Sequence, residues 1–270
     1  MWVGLIVHDI LQQAITNHHN GIRPLDKDAA LRACDQRLRS EFRESLNTQY
    51  LENPSRFTGL MEHEYNMPVP DSVWKEFYNH AKTCVANFFD SAYYLTIKNL
   101  RKPEIIPLYD FNYFMLDDIK VFSALDFAYK QSGRHMIIDW KTGLADRHDD
   151  HKLQLGTYAL FALNKWDGAT LQNIKTFIYN LARLENEEYD VTEKTVEETI
   201  TAIKTSSEEM QSLLFSIKHN TAHKERFKRA DNMNKCRHCN FYRLCYPSKD
   251  DTPLAELWSA DEFALNAKSD

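Results

Sequence analysis

Asp126, Asp139 and Lys141 concentrate more chemistry in a short stretch than any other residues of this chain. Between them the sequence reads as the end of one apolar strand, a turn at Ser132-Gly133, and a second apolar run closing in Asp139-Trp140-Lys141. Strand side chains alternate between faces, so Asp139 and Lys141, two apart, point the same way. A neighbouring strand can bring Asp126 to the same place. Two carboxylates and an ammonium on one surface suit a divalent cation that activates water and neutralises a phosphate. Hard oxygen ligands select Mg²⁺ or Mn²⁺ over metals that prefer softer sites. A β-hairpin with a surface Asp–Lys pair has the same local pattern, so the rest of the chain must decide.

Three further features bear on that decision. Gly4-Leu-Ile-Val-His8 opens a helical pattern upstream. Gln154 and Tyr158 are four apart on the helix expected after Lys141, so they share a face, where Tyr158 could equally be packing. Cys236-x2-Cys239-x5-Cys245 lies near the end. Five cysteines is an odd number, and three cluster in a chain with no export signal, which reads as metal binding rather than a disulfide framework. His238 inside that cluster also allows a Cys₃His zinc site. Cys84, beside Val85 and Phe88, reads as core. Glu62, His63 and Glu64 form a polar cluster in an irregular segment and read as a surface or contact region. Lys224, Arg226, Lys228, Arg229, Lys235, Arg237 and Arg243 make a basic stretch that suits either phosphate contacts or a solvated helix end.

Periodicity supplies the elements that would position these groups. Apolar positions at Val3, Ile6, Val7, Ile10, Leu11, Ala14 and Ile15 predict a helix over 3–16. A charged helix is expected over 26–47, and a long one from Asp71, its expected N-cap, to about Tyr94. Strands are expected at Ile105–Tyr109, Ile119–Tyr129 and His135–Trp140. Helix follows over 150–165, strand over Asn173–Leu184, and helix from Val191 to about Asn220, with Thr192 or Thr195 near its start. Order alone supports α/β or α+β.

Taken in order, these motifs resemble the RecB-like branch of the PD-(D/E)XK nuclease superfamily, including its AddB-type and CRISPR-adaptation iron–sulfur members. The resemblance runs from Gly4 to about Tyr246. It implies an α/β fold with the α-β-β-β-α-β restriction-endonuclease-like core and added N- and C-terminal helices. It also implies a single nuclease domain over 1–247 with a helical insertion at 26–97, a cysteine motif at 236–245 and a polar tail at 248–270. Asp126, Asp139 and the carbonyl of Trp140 would be metal ligands, with His8 near or on the metal. Lys141 would serve the phosphate or the attacking water, and Gln154 and Tyr158 would border the DNA. Cys236, Cys239 and Cys245 would be three ligands of a four-iron, four-sulfur cluster. The family's fourth cysteine precedes the Gly-x-x-x-His motif, and only three residues precede Gly4 here. That ligand is therefore expected upstream of a shortened start, unless Cys34 replaces it.

The 270 residues are 43% hydrophobic and 12% aromatic, enough for a substantial core. A net charge of −6 argues against a uniformly basic DNA-coating surface but leaves room for a local groove. No run of about 18 apolar residues occurs, so no membrane span is expected and a cytoplasmic protein is the default. The function expected is Mg²⁺- or Mn²⁺-dependent DNA hydrolysis with exonuclease character on single-stranded or free ends. It would serve repair, recombination or defence, with helicase or recombination partners. The alternatives are a non-catalytic nucleic-acid-binding or assembly subunit and a zinc-stabilised structural protein.

Overall fold

The computed structural model describes residues 2–22, 25–108, 112–143, 148–231, 235, 236, 239 and 241–246. Helix α1 (Trp2–His19) buries Ile6, Val7, Ile10, Leu11, Ala14 and Ile15, the face read from the sequence. Helix α2 (Lys27–Leu46) is started by Asp26, whose carboxylate accepts from the backbone N–H of Ala29 at 2.8 Å. A short helix α3 (Met61–Glu64) precedes α4 (Asp71–Asp90). Pro70, not Asp71, holds the N-cap position of α4, and Asp71 opens the first turn, where its charge complements the helix dipole. The helix expected to continue to Tyr94 breaks at Ser91. That hydroxyl bonds the carbonyl of Phe88 and accepts from the N–H of Tyr94, ending α4 and starting α5 (Ala92–Asn99).

Strands β1 (Tyr113–Leu116) and β2 (Ile119–Phe122) form a separate antiparallel hairpin. The main sheet contains β3 (Phe127–Gln131), β4 (Arg134–Lys141), β5 (Ile174–Asn180) and β6 (Glu185–Tyr189), in that spatial order. β3 and β4 are antiparallel through the turn at Ser132-Gly133, where both residues have positive φ. β4 and β5 are parallel, joined through helix α6 (His148–Lys165). β6 is an antiparallel edge. Helix α7 (Glu193–Ser212) follows, capped by Thr192, which accepts from the N–H of Thr195. The small hairpin β7 (Leu214–Ser216) and β8 (Thr221–Ala222) ends the helix expected to reach Asn220. The described part closes with α8 (Tyr242–Cys245).

Several expected boundaries shift for physical reasons. Ile105–Tyr109 is not a strand: Ile105 makes one isolated bridge to Tyr129, and Tyr109 lies outside the described residues. The single strand expected over 119–129 is broken at Ser123–Asp126, so two elements replace one. The tail at 248–270 also lies outside the described residues.

The sheet is covered on both faces. Ile138 and Trp140 of β4 pack with Tyr179 and Leu181 against α1, α2 and α4. Ile137 of β4 and Ile174 and Ile178 of β5 pack against α6, with α7 outside it. β4 is therefore apolar on both sides, as a central strand must be. Asp139, on the α6 side, is the charge in that otherwise apolar strand interior and is 2% exposed. Among the described residues, no helix is long and apolar enough to cross a membrane.

Candidate active site

The register of the sheet brings the two carboxylates together. Phe127 pairs with Ile138, so Asp126, one step beyond the end of β3, falls opposite Asp139. The break in the strand lets Asp126 turn its carboxylate to the backbone of β4. One oxygen accepts from the N–H of Trp140 at 2.8 Å, and the other lies 2.9 Å from Nδ1 of His8. His8 reaches it from α1. Gly4, one turn earlier, faces Thr142, and a Cβ at that position would sit 3.3 Å from the threonine hydroxyl. A small residue there lets α1 approach the end of β4.

Asp139 anchors a second set of contacts. Lys141 Nζ lies 2.7 Å from Asp139 Oδ2 and donates to Gln154 Oε1 at 2.7 Å. Gln154 Nε2 donates to Asp139 Oδ1 at 2.9 Å and to the Tyr158 hydroxyl at 2.7 Å. The Tyr158 hydroxyl proton is shared between the Ala124 carbonyl at 2.7 Å and Asp139 Oδ1 at 3.1 Å. The helical spacing of Gln154 and Tyr158 thus places both on Asp139. Tyr158 is also core, 4% exposed and packed with Leu155 and Phe114.

Burial is the largest influence on Asp139, and the charge of Asp126 adds to it. Together they raise its pKa from 3.8 to about 6, against the opposing pull of Lys141 and His8. For His8, burial alone would lower the pKa. The hydrogen bond to Asp126 and the charges of Asp126 and Asp139 outweigh it, so the imidazole is raised. Tyr158 is raised by burial and by the two carboxylates, so its phenol stays protonated.

These residues suit a hard divalent cation. Asp139 Oδ2 is buried and takes the Lys141 ammonium at 2.7 Å, which leaves its second lone pair open. A buried anionic oxygen with an unused lone pair is a ligand in waiting. No three His, Cys, Asp or Glu side chains among the described residues are already gathered to hold a metal. Two carboxylates are what the side chains offer such an ion here.

The three C-terminal cysteines lie in the segment leading into and through α8. Cys236, Cys239 and Cys245 are each partly exposed, and Cys236 packs in a small core with Val73, beside Tyr242. That ring stacks on Tyr246, meets Tyr65 edge-on and packs against Val73 of α4. Aromatic packing thus fixes this segment to the stretch before and into α4. Cys34, the other candidate ligand, is fully buried in the separate core of α1, α2 and α4 near Cys84. Burial pushes its thiol up to about 11. His238 and Arg237 lie outside the described residues. The basic stretch is partly structural: Arg226 donates to the carbonyls of Ser212 and Leu214 at the end of α7, Arg229 covers Tyr246, and Arg243 pairs with Glu64. Glu62, His63 and Glu64 belong to α3, where His63 meets Ser45 and packs edge-on against Phe42.

Two supports were not readable in the sequence. His80 of α4 lies with Nε2 2.6 Å from the carbonyl of Thr142, the residue after Lys141. Asn180, at the end of β5, donates to the carbonyl of Gly143 at 2.8 Å. Neither has a local signature, because each acts on the backbone just past β4, distant in sequence.

The sequence profile of the PD-(D/E)XK nuclease superfamily matches residues 2–246. No curated protein and no solved structure matches the chain. A match over nearly the whole chain agrees with the mixed sheet flanked by helices. The chain belongs to the PD-(D/E)XK nuclease superfamily.

Proposed function

We propose that this protein is a divalent-metal-dependent deoxyribonuclease of the RecB-like branch, with exonuclease character. The observation that carries this reading is the convergence of Asp126, Asp139 and Lys141, at the ends of adjacent strands, with Gln154 and Tyr158 of α6, and with His8 against Asp126. A Mg²⁺ or Mn²⁺ ion would be held by Asp126, Asp139 and the carbonyl of Trp140. It would lower the pKa of a water and offset phosphate charge.

The chain's own groups then have distinct tasks. Lys141 is about one-quarter exposed and uses two contacts, so its ammonium has a further proton to direct at a phosphate oxygen or the attacking water. Gln154 holds both Lys141 and Asp139, fixing their spacing. Tyr158 ties Asp139 to the Ala124 carbonyl and so to the segment carrying Asp126. His8 orients Asp126 from α1. The iron–sulfur cluster implied by the resemblance would take Cys236, Cys239 and Cys245 as three of its ligands, and no step of this reading depends on it.

The test is cleavage of linear and circular DNA, single- and double-stranded, with and without Mg²⁺ or Mn²⁺. Asp139→Ala and Lys141→Ala are each expected to abolish metal-dependent cleavage while circular dichroism stays native. Cleavage by both variants at the wild-type rate would refute the assignment. Equal loss of circular and linear substrates would refute the exonuclease character alone.

A further inference from the structure

The β1–β2 hairpin presents two faces of opposite character. Phe114, fully buried, and Val121 turn inward onto Leu155 and Tyr158 of α6. Tyr113 and Phe122 form a cross-strand pair on the outer face, as do Met115 and Lys120. Tyr113 is 41% exposed and Phe122 58% exposed. Their ring centroids are 6.1 Å apart, and Lys120 Nζ sits 4.1 Å from one and 4.8 Å from the other. Lys165, in the last turn of α6, brings a second ammonium to 5.3 Å from the Tyr113 ring. Asp117, in the hairpin turn, is engaged by Lys204 of α7 at 2.6 Å.

Exposed aromatic rings interleaved with lysines match a polynucleotide unit by unit. A base has an apolar face that stacks on a ring, and the adjoining phosphate takes an ammonium. Duplex DNA hides its base faces, so only an unpaired strand can use both. The hairpin is also tied to the candidate active site. Phe122 is four residues from Asp126, at most about 14 Å along a fully extended chain. The Ala124 carbonyl between them accepts from Tyr158. A strand lying on the hairpin would thus continue toward Asp126 and Asp139.

We propose that the outer face of the β1–β2 hairpin is a binding platform for single-stranded nucleic acid. Tyr113 and Phe122 stack on bases, and Lys120 and Lys165 meet the flanking phosphates. The choice of ligand rests on the nuclease reading, but the experiment separates the two.

Binding is measured by fluorescence anisotropy of labelled oligothymidine in EDTA, where cleavage does not intervene. The double variant Tyr113→Leu/Phe122→Leu keeps an apolar surface but removes both rings. It is expected to weaken binding by at least about fivefold, since loss of one stacked base costs about five- to hundredfold. Tyr113→Phe/Phe122→Tyr keeps both rings and is expected to bind as wild type. Lys120→Gln/Lys165→Gln should flatten the slope of log affinity against log salt by about 1.4, at about 0.7 per phosphate contact on a single strand. Ultraviolet cross-linking of wild-type protein to iodouracil-substituted strand should map to Tyr113 or Phe122, a readout independent of how any variant folds. Unchanged binding by a folded leucine double variant overturns the platform. So do cross-links only elsewhere, no single-strand binding by wild type, or an equal loss of duplex binding. If wild type binds in the expected pattern but cleaves nothing with Mg²⁺ or Mn²⁺, the platform stands and the nuclease reading fails. If wild type cleaves and the leucine variant binds and cleaves equally well, the reverse holds.

Discussion

Replacing Asp139 by Asn removes a charge that the fold tolerates poorly without a bound cation. The folded-state pKa of about 6 stands against an ordinary 3.8, a rise of about two units. At 1.36 kcal/mol per unit, the charged form costs on the order of 3 kcal/mol in the metal-free fold. The raised value fixes the sign. Above about pH 6 the native carboxylate is charged and that destabilisation is fully present. As pH falls from about 6 toward 4, the native state takes up the proton before the unfolded state does, and the destabilisation disappears. Metal-free Asp139→Asn is therefore expected to melt higher than wild type at pH 8, by about 5–10 °C for on the order of 3 kcal/mol. The gain should shrink toward zero near pH 4–5. Loss of the Lys141 ion pair trims the gain, while the Asn carbonyl can still accept from Gln154 and Tyr158. A bound divalent cation reverses the ranking. Mn²⁺ should raise the melting temperature of wild type at pH 8, much less at pH 5 where the proton competes, and not that of Asp139→Asn. Differential scanning fluorimetry in EDTA and in Mn²⁺ across this pH range reads all of these. A variant less stable than wild type by the same amount at pH 8 and pH 5 would refute the argument. So would equal stabilisation of both proteins by Mn²⁺.

Two further outcomes test the packing around the site. Gly156 of α6 faces Thr199 of α7, and an added Cβ would come within 2.1 Å of the threonine hydroxyl, which is buried and bonded to the Thr195 carbonyl. Gly156→Ala should therefore destabilise by about 1–3 kcal/mol in chemical denaturation despite a helix-propensity gain of about 1 kcal/mol, and Thr199→Ala in the same chain should recover most of the loss. Unequal thiol exposure gives the second: in native buffer a maleimide should label Cys236, Cys239 and Cys245, whereas Cys34 and Cys84, buried and with thiols pushed up to about 11 and 12, should react only after unfolding. Fast native labelling of Cys34, read by peptide mass spectrometry, would contradict its place in the helical core.

What the sequence made legible follows from where the information is local. Alternation along β4 is enough to put Asp139 and Lys141 on one side, and spacing of four is enough to put Gln154 and Tyr158 on one helix face. Both relations survive in the structure because they depend on backbone geometry alone. The apolar pattern of α1 is legible for the same reason. β6 was missed because Glu185-Asn186-Glu187-Glu188-Tyr189 is almost wholly polar. Its place at the sheet edge explains that composition, with Lys175 of β5 reaching across to Glu188 at 2.8 Å. Tyr242 beside Cys236 has no local signature, because its partners Tyr65 and Val73 are remote in sequence.

The break between β2 and β3 shows why the least legible segment is also the functional one. Ile119, Val121, Phe122, Leu125, Phe127 and Tyr129 read as one apolar run, and propensity favours a single strand. A continuous strand would bond its backbone along its whole length to its neighbours. Instead, the ladder with β1 ends at the Ser123 N–H, which bonds the Asn112 carbonyl; beyond it the Ala124 carbonyl takes the Tyr158 hydroxyl, and the Asp126 carboxylate takes the Trp140 N–H. Tyr158 is 34 residues from Ala124, and the Asp126 bond runs from a side chain to backbone, so no local pattern announces the break. The same interruption frees the hairpin to turn Tyr113 and Phe122 outward and frees Asp126 to face Asp139. The departure from local propensity is thus what joins the outer aromatic face to the carboxylates. A substitution that restored strand pairing through Ser123–Asp126 would strengthen the sheet at the expense of the site.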